Sequence, residues 1–334
     1  MTTATTAMDE TYERELCGRV ALALARQSPG VSVGLFARLP GGHSGLTYRV
    51  ETSEGALVVK SVPPGQRAIG RHDMLRQARI IDALAPTGVP VPAIVATDET
   101  GPAWFAMELV AGESLEPVLD DPEVRPNLAA ARMLRAAETL PALHDVPLDK
   151  VPVDPGQSEP LSPLDELDRW ARTMAAVPPD LVPDADRLRQ RLAASVPAAV
   201  APTLVHGDYR LGNLICSGTE PVALIDWEIW SVGDPRVELG WFLVFADGTN
   251  FPGVGREVPG LPSAEELVTA YALDGRPVDD LAWFDALGRY KMAAIMGHNL
   301  RRHLEGRHHD PDQERLPDTI RRLIDTGLEK TSGL

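Results

Sequence analysis

Three polar side chains near the middle of the sequence have the types and the spacing that phosphoryl transfer requires. Asp208 and Asn213 lie five residues apart in the segment LVHGDYRLGN, and Asp226 follows Asn213 by thirteen residues. Transfer of a γ-phosphoryl group depends mainly on positioning and on neutralisation of charge. One carboxylate orients the attacking hydroxyl, while a second carboxylate and an amide oxygen hold Mg²⁺ against the phosphates. The spacing therefore predicts Asp208 as the catalytic residue and Asn213 and Asp226 as the metal ligands.

Two short apolar runs must position these residues. Residues 203–205 precede the Asp208 loop and residues 222–225 precede Asp226, and such runs are typical of buried strands. His206 is predicted to support the loop from a buried position rather than to act as a base. The competing interpretation, that Asp208 and Asn213 only form turns, is disfavoured because several elements of the pattern coincide.

A lysine and a glycine-rich loop in the first part of the chain are predicted to contact a nucleotide. Lys60 ends the apolar run Val58-Val59-Lys60 and could reach phosphate oxygens, although a solvated lysine at a strand end is the alternative. The turn over residues 40–45 allows close backbone approach to phosphates. Its predicted contacts come from Gly42, His43, Ser44 and Gly45. An ordinary hairpin turn is the alternative for this loop.

The segment Met107-Glu108-Leu109-Val110 lies where the predicted elements change from strands to helices. Clefts between domains are preferred ligand sites. Met107, Glu108 and Val110 are therefore predicted to contact the adenine, with backbone groups donating or accepting hydrogen bonds and apolar side chains covering the ring.

The order of the predicted elements indicates an α+β fold with two lobes. Strands are predicted over residues 33–39, 46–51, 56–62, 94–97 and 104–109, with helices over 9–26 and 72–84. Later helices are predicted over residues 126–144, 184–196, 236–246, 264–273 and 279–305. The predicted domains are a nucleotide-binding lobe with an N-terminal helix over residues 1–109, a hinge over 110–114, and a helical lobe with the catalytic loop and acceptor site over 115–334.

The composition restricts the class of partner. Acidic residues outnumber basic residues by 48 to 32, which gives a net charge of −16 and argues against nucleic acid as a partner. The sequence has neither the apolar run of a membrane span nor the pattern of a signal peptide. We therefore expect a cytoplasmic protein without a membrane partner, which is a monomer or a homodimer.

The acceptor site is expected on the helices that face Asp208, and its candidate residues are aromatic, basic or acidic. They are Tyr209, Glu228, Trp230, Trp241, Tyr290, His298 and Arg301. Each of them could instead belong to the core or to the surface. The sequence His308-His309-Asp310 has metal-binding residue types, but a solvated surface patch is the favoured interpretation.

These motifs together resemble the aminoglycoside phosphotransferase and choline kinase-like family, which shares the protein-kinase fold. The subgroup associated with acyl-CoA dehydrogenases is the most similar. The resemblance is carried by GGHSGLTY (residues 41–48), PPG (63–65), HGDYRLGN (206–213), DWE (226–228) and GDP (233–235). Two positions depart from the subgroup pattern: Gln77 stands where a glutamate usually pairs with the lysine, and Gly45 replaces an asparagine. The amide of Gln77 can still accept a hydrogen bond from Lys60.

The resemblance implies a two-lobed protein-kinase-like fold, with a small antiparallel-sheet lobe containing one main helix and a larger, mostly helical lobe. It also implies an ATP-dependent kinase, with GTP as a possible donor, that requires Mg²⁺ and phosphorylates a hydroxyl. Lys60 would bind the α- and β-phosphates, and Asp234 would cap the helix that begins near Arg236.

The resemblance leaves the acceptor open between an aminoglycoside or other hydroxylated natural product and a hydroxyacyl-CoA. A basic patch around Arg301 and Arg302 would favour the anionic ester, and a ring of carboxylates would favour a polycation. Gly233 follows Asp226 by only seven positions, which favours a small-molecule acceptor over a peptide. The non-enzymatic alternative is a pseudokinase that binds nucleotide without turnover.

Overall fold

The computed structural model describes residues 2–39, 45–120, 125–152, 159–276, 278–307 and 310–334. The chain forms two compact units. The sheet unit comprises Met1–Ala111 and Ala223–Ile229, and the helical unit comprises Gly112–Val222 and Trp230–Leu334. The short segment that carries Asp226 therefore groups with the sheet unit, although it follows the Asp208 loop in sequence.

Five antiparallel strands form the sheet of the sheet unit. In chain order they are β1 (Val33–Arg38), β2 (Leu46–Thr52), β3 (Gly55–Ser61), β4 (Ile94–Asp98) and β5 (Trp104–Glu108). Their order in the sheet is β1-β2-β3-β5-β4, and every neighbouring pair is antiparallel. All five strands were predicted within one residue at each end, because alternating apolar residues and glycine turns mark their limits.

Two α-helices complete the sheet unit. The first helix, α1 (Thr2–Gln27), begins earlier than the predicted Asp9 and packs its residues Leu16, Val20 and Leu24 against the sheet. These three residues recur at intervals of four and so lie on one helix face. The second helix, α2 (Met74–Leu84), begins where the Asp73 side chain accepts a hydrogen bond from the backbone N–H of Arg76.

Seven α-helices are described in the helical unit. They are α3 (Pro126–His144), α4 (Pro163–Met174), α5 (Ala185–Ala194), α6 (Arg236–Leu243), α7 (Ala264–Tyr271), α8 (Leu281–Leu304) and α9 (Leu316–Lys330). An antiparallel sheet followed by a mostly helical remainder confirms the predicted α+β class. Within the described ranges, no helix is both long enough and apolar enough to cross a membrane.

Helix α4 was not predicted, although the sequence carries a signal for it. Ser162 and Asp165 form a capping box, in which each side chain accepts a hydrogen bond from the backbone N–H of the other residue. Pro163 occupies the first helical position, which suits proline because it has no N–H to donate. The proline-rich stretch before it obscured this start.

Short strands carry the polar segments identified in the sequence. Strand β6 (Thr203–Val205) ends directly before His206 and pairs with β9 (Ser231–Gly233) in antiparallel fashion. Strands β7 (Leu214–Ser217) and β8 (Glu220–Leu224) form a second pair, and β8 ends two residues before Asp226. The predicted placement of these segments at strand ends is confirmed.

Helices α6 and α8 approach each other at two glycines. A Cβ atom built on Gly240 would lie 2.4 Å from the carbonyl carbon of Phe284, and one on Gly288 would lie 2.8 Å from the carbonyl oxygen of Gly240. Any larger residue would force the backbones apart, since real Cβ contacts are never so short. The close crossing brings side chains of α6 next to side chains of α8.

Candidate active site

Two N–H donors and one guanidinium group contact the carboxylate of Asp208 in the helical unit. The indole N–H of Trp241 donates to Oδ1 at 3.1 Å, and the amide of Asn213 donates to Oδ2 at 2.8 Å. The Nε of Arg210 lies 3.3 Å from Oδ1. Donors of this kind fix the orientation of a carboxylate. A carboxylate held in this way can orient an attacking hydroxyl and accept its proton.

Asn213 has the chemistry of a metal ligand. Its amide nitrogen donates to both the carbonyl oxygen and the carboxylate of Asp208, at 2.8 Å each. The amide nitrogen has only two hydrogens, so the amide oxygen is the atom that remains for a cation. Asp226 offers a carboxylate that is 38% exposed. Amide and carboxylate oxygens are the ligands that Mg²⁺ prefers, and both residues therefore fit that ion.

The backbone of the Asp208 loop is held by a buried carboxylate that the sequence analysis did not identify. Glu238 on α6 is fully buried and accepts hydrogen bonds from the backbone N–H groups of His206, Gly207 and Tyr209. Burial raises the pKa of Glu238 to about 7, while Lys291 and the three N–H donors oppose that rise. His206 is buried as well, and its Nδ1 accepts a hydrogen bond from the Asp208 N–H at 3.1 Å, which is the supporting role predicted for it.

A second buried carboxylate supports the other half of the loop. Glu116 is 1% exposed, accepts a hydrogen bond from the N–H of Gly212 at 3.2 Å and lies 3.7 Å from Nη1 of Arg210. Burial raises the pKa of Glu116 to about 7, and Arg210 is the main opposing influence. Neither Glu116 nor Glu238 is recognisable from the sequence, because their partners are distant along the chain.

The sheet unit brings three of the predicted residues together. Lys60 is buried on β3, and its ammonium lies 2.5 Å from Oδ1 of Asp226 and 3.4 Å from Oε1 of Gln77. Asp226 has a φ of 70°, in the left-handed region that few residues other than glycine adopt. Strained backbone of this kind is concentrated at functional sites.

The glycine-rich loop is described only at its end. Gly42, His43 and Ser44 lie outside the described residues. A Cβ atom on Gly45 would lie 2.6 Å from Cε of Met74 and 3.2 Å from the carbonyl oxygen of Ser61. An asparagine at this position would therefore displace Met74, which gives a physical reason for glycine here.

The segment predicted to contact adenine is partly engaged in the sheet. Met107 is buried in β5, opposite Val58 and Ile94, and Glu108 is exposed. The backbone N–H of Glu108 donates to Ala93 at 2.9 Å, and that of Leu109 donates to Ala56 at 3.2 Å. An adenine would have to use other backbone groups of this segment, such as those of the half-buried Val110.

The aromatic acceptor candidates separate into core residues and one residue at the site. Tyr209, Trp230 and Tyr290 are almost completely buried. The hydroxyl of Tyr209 donates to the carbonyl of Ala136 at 2.7 Å, and burial raises the pKa of Tyr290 to about 12. These three side chains belong to the core of the helical unit. Trp241 is equally buried, but its indole N–H contacts Asp208 directly.

The polar acceptor candidates are divided between the two units. Glu228 is half-buried in the sheet unit. His298 and Arg301 lie on α8, where Arg301 donates to the carbonyl of Ala176 at 2.8 Å and lies 3.4 Å from Nδ1 of His298. Asp234 is buried and accepts from the backbone N–H of Arg236 at 3.0 Å, as predicted for a residue at the start of α6.

Solved structures of phosphotransferases share this fold. A protein of Ralstonia eutropha, provisionally described as an aminoglycoside phosphotransferase, has a TM-score of 0.75 and 24% identity over 92% of this chain and 96% of its own. A thermostable mutant of aminoglycoside phosphotransferase APH(4)-Ia, in complex with AMP-PNP and hygromycin B, has a TM-score of 0.61 and 15% identity over 92% and 97%. At these identities the likeness shows the fold, and it confirms the expected protein-kinase-like class.

Curated relatives confirm the resemblance to proteins named as acyl-CoA dehydrogenases. Mouse acyl-CoA dehydrogenase family member 10 is 29% identical over 79% of this chain and 26% of its own length. Mouse acyl-CoA dehydrogenase family member 11 is 28% identical over 86% of this chain and 39% of its own length. The chain thus spans less than half the length of these relatives.

The family assignment comes from a match that covers the predicted site. Residues 36–272 match the profile described as the phosphotransferase enzyme family. This range is well over half of the chain and includes Lys60, Asp208, Asn213 and Asp226. The protein therefore belongs to the phosphotransferase enzyme family.

Proposed function

We propose that the protein is an ATP- and Mg²⁺-dependent kinase that transfers a γ-phosphate to a hydroxyl of a small molecule. The observation that carries this proposal is the carboxylate of Asp208, which two N–H donors and the Arg210 guanidinium hold in place shortly after β6. Asp208 orients the acceptor hydroxyl and takes up its proton as the oxygen bonds to the γ-phosphorus. The bond from that phosphorus to the β,γ-bridging oxygen breaks, and ADP leaves. General base catalysis of this kind contributes about 10²- to 10⁴-fold.

The proposed nucleotide contacts lie in the sheet unit, whereas the proposed metal ligand Asn213 lies in the helical unit. Lys60 binds the α- and β-phosphates, and Gln77 helps to orient its ammonium. Asn213 and Asp226 supply oxygen ligands for Mg²⁺, which neutralises charge on the phosphates when it is bound. Gly42, His43, Ser44 and Gly45 line the phosphate loop, and Met107, Glu108 and Val110 lie against the adenine. In support of a nucleotide donor, the APH(4)-Ia structure holds AMP-PNP.

For the acceptor, we place a hydroxyacyl-CoA first and a hydroxylated antibiotic second. The hydroxyacyl-CoA is supported by the relatives named as acyl-CoA dehydrogenases, which are 28–29% identical to this chain. The hygromycin B complex supports an aminoglycoside through a structure that is 15% identical. The proposed acceptor contacts are Trp241, Glu228, His298 and Arg301.

The test is a panel of acceptors offered with Mg²⁺ and either ATP or GTP. The panel contains hydroxyacyl-CoA esters, aminoglycosides, macrolides and choline-like amines, and mass spectrometry detects the addition of one phosphoryl group. The Asp208→Ala variant is the inactive reference, and Asp149→Ala, which removes an exposed carboxylate, is the matched control. Turnover by the wild type and by Asp149→Ala, but not by Asp208→Ala, would establish that the protein is a kinase. Nucleotide binding without turnover on any acceptor would favour a pseudokinase.

Exchange of Gln77 for Glu is expected to change kcat/KM for ATP by no more than about fivefold, which corresponds to about 1 kcal/mol. The reason is that Asp226 already provides Lys60 with an ionic partner at 2.5 Å, so a second carboxylate is not needed to hold the ammonium. Steady-state kinetics at varied ATP concentration measure the effect. The matched control is Gln77→Leu, which removes the acceptor atom at similar volume. A much faster Gln77→Glu variant would instead identify the natural enzyme as attenuated.

A further inference from the structure

A lysine is buried beside the catalytic loop. Lys291 lies in the middle of α8 and is 3% exposed. Its ammonium donates a hydrogen bond to the carbonyl oxygen of Gly207, the residue before Asp208. Among the residues that the structure describes, no carboxylate lies within ion-pair distance of it. A buried ammonium is costly unless it is paired, so its retention calls for an explanation.

Two tryptophans enclose this ammonium. It lies 3.9 Å from the ring centroid of Trp241 and 5.0 Å from that of Trp170. A cation over an indole face is attracted by the ring quadrupole, most strongly where water is excluded. The aromatic faces and one carbonyl oxygen therefore replace the water that Lys291 loses.

The Trp241 indole connects the ammonium to the catalytic carboxylate. One face of the indole lies against Lys291, and its N–H donates to Oδ1 of Asp208 at 3.1 Å. Groups that are polarised in series strengthen one another in a low-dielectric interior. A positive charge on the ring face makes the N–H a better donor, and Oδ1 is held more firmly as a result.

The peptide group before Asp208 provides a second connection. The Gly207 carbonyl accepts from Lys291, and the Gly207 N–H donates to Glu238 at 3.1 Å. Gly207 has a φ of 87°, a conformation that favours glycine. Charged side chains of α6 and α8 thus hold this residue on both sides, and Asp208 is the next residue.

We propose that Lys291 is a positioning residue of the phosphotransferase site, which fixes Asp208 through the Trp241 indole and through the Gly207 carbonyl. The proposal rests on the proposed function, because it assigns a role in the same reaction. Lys291 lies outside the matched range 36–272, so the family match does not include it.

The charge of Lys291 should make activity depend on pH. The carboxylates of Asp208, Glu166 and Glu238 favour its charged form, and Arg169 opposes it. Burial outweighs the carboxylates and lowers the pKa of Lys291 from 10.5 to about 8. Activity should therefore fall as the pH rises through about 8 and the ammonium loses its proton.

The same titration should leave folding intact. The folded pKa of about 8 lies below the reference value of 10.5, so the folded chain binds fewer protons than the unfolded chain between these values. The contribution of this group to stability consequently rises across that interval. Unfolding driven by Lys291 would not explain a loss of activity there.

The experiment compares Lys291→Met, Trp241→Phe and the double variant, using the acceptor on which the wild type is active. Loss of one hydrogen bond to a charged group predicts a decrease in kcat of about ten- to a hundredfold for Lys291→Met, with KM for ATP unchanged. The double variant should lose less than the product of the two single effects, since the two residues act in series. The control is Lys330→Met, which removes a lysine 2.7 Å from the buried Asp285. A kcat for Lys291→Met equal to that of the control, or effects that multiply fully, would overturn the proposal.

A second measurement covers the case in which Lys291→Met does not fold. The fluorescence of Trp241 is obtained by subtracting the emission of Trp241→Phe from that of the wild type. In the wild type, kcat should decline on the alkaline side near the pH at which this Trp241 emission changes. In Lys291→Arg, both transitions should disappear from this range, because arginine stays protonated. An unchanged decline would refute the positioning role. If the wild type phosphorylates no acceptor, the proposed function fails separately, and the emission titration still shows whether a titrating ammonium lies on the Trp241 ring.

Discussion

Replacement of Asp208 by Asn is expected to lower kcat by about a thousandfold, within the range that general base catalysis contributes. The carboxylate accepts from Trp241 on one oxygen and from Asn213 on the other. An asparagine has one acceptor oxygen and one donor nitrogen, so one of these N–H groups would face another donor. The variant therefore loses both the base and the orientation of the side chain.

Steady-state kinetics with saturating acceptor measure this effect, and KM for ATP should change little. Asp149→Asn is the matched control, because Asp149 is exposed. Retention of more than a tenth of the wild-type kcat by Asp208→Asn would contradict the role assigned to Asp208.

Replacement of Glu238 by Ala is expected to lower the free energy of unfolding by about 3–5 kcal/mol, the usual effect of breaking a buried charged network. Three backbone N–H groups of the catalytic loop would lose their acceptor. The buried ammonium of Lys291 would also lose a nearby negative charge. Glu238→Gln should cost less, because its amide oxygen can still accept, and both variants should lose activity.

Urea denaturation measures this effect, with Glu265→Ala as a control at an exposed helical glutamate. The pH dependence provides a second test. The folded pKa of about 7 lies above the reference value of 4.5, so the contribution of Glu238 to stability decreases as the pH rises from 4.5 through 7. Glu238→Gln has no titrating carboxyl at this position. The free energy of unfolding of the wild type minus that of Glu238→Gln should therefore decrease as the pH rises over this interval. Equal stability of Glu238→Ala and the control would contradict the role of Glu238 as the acceptor for the loop.

The sequence was sufficient for the parts of the site that depend on spacing along one segment. Asp208 and Asn213 are five residues apart, and the hydrogen bonds between them follow from that local geometry. The strands before them were found because short apolar runs end at polar residues. The strained φ of Asp226 could not be anticipated, since aspartate has no strong preference for that conformation.

The residues that support the site could not be found in the same way. Glu238 and Lys291 act on the loop from helices that are distant in sequence, and only the folded chain shows which buried charges meet. The run Ala293-Ala294-Ile295 beside Lys291 does offer a signal, because a lysine within an apolar helical stretch must find buried partners. Tyr209 and Tyr290 illustrate a different limit: their residue types suit ligand contact as well as the core, and the structure packs both in the core.

The glycine crossing of α6 and α8 gives a criterion for sorting related sequences. Gly240 and Gly288 allow backbone contact between the helices that carry Trp241 and Lys291, so main-chain contact sets the distance between the two backbones from which these side chains project. A sequence could keep the whole HGD motif and its asparagine, yet carry a larger residue at either glycine. The motif alone would predict an active kinase for such a sequence, although the residue matching Lys291 would lie further from the indole that matches Trp241. Reading both glycines together with the motif would distinguish these two groups.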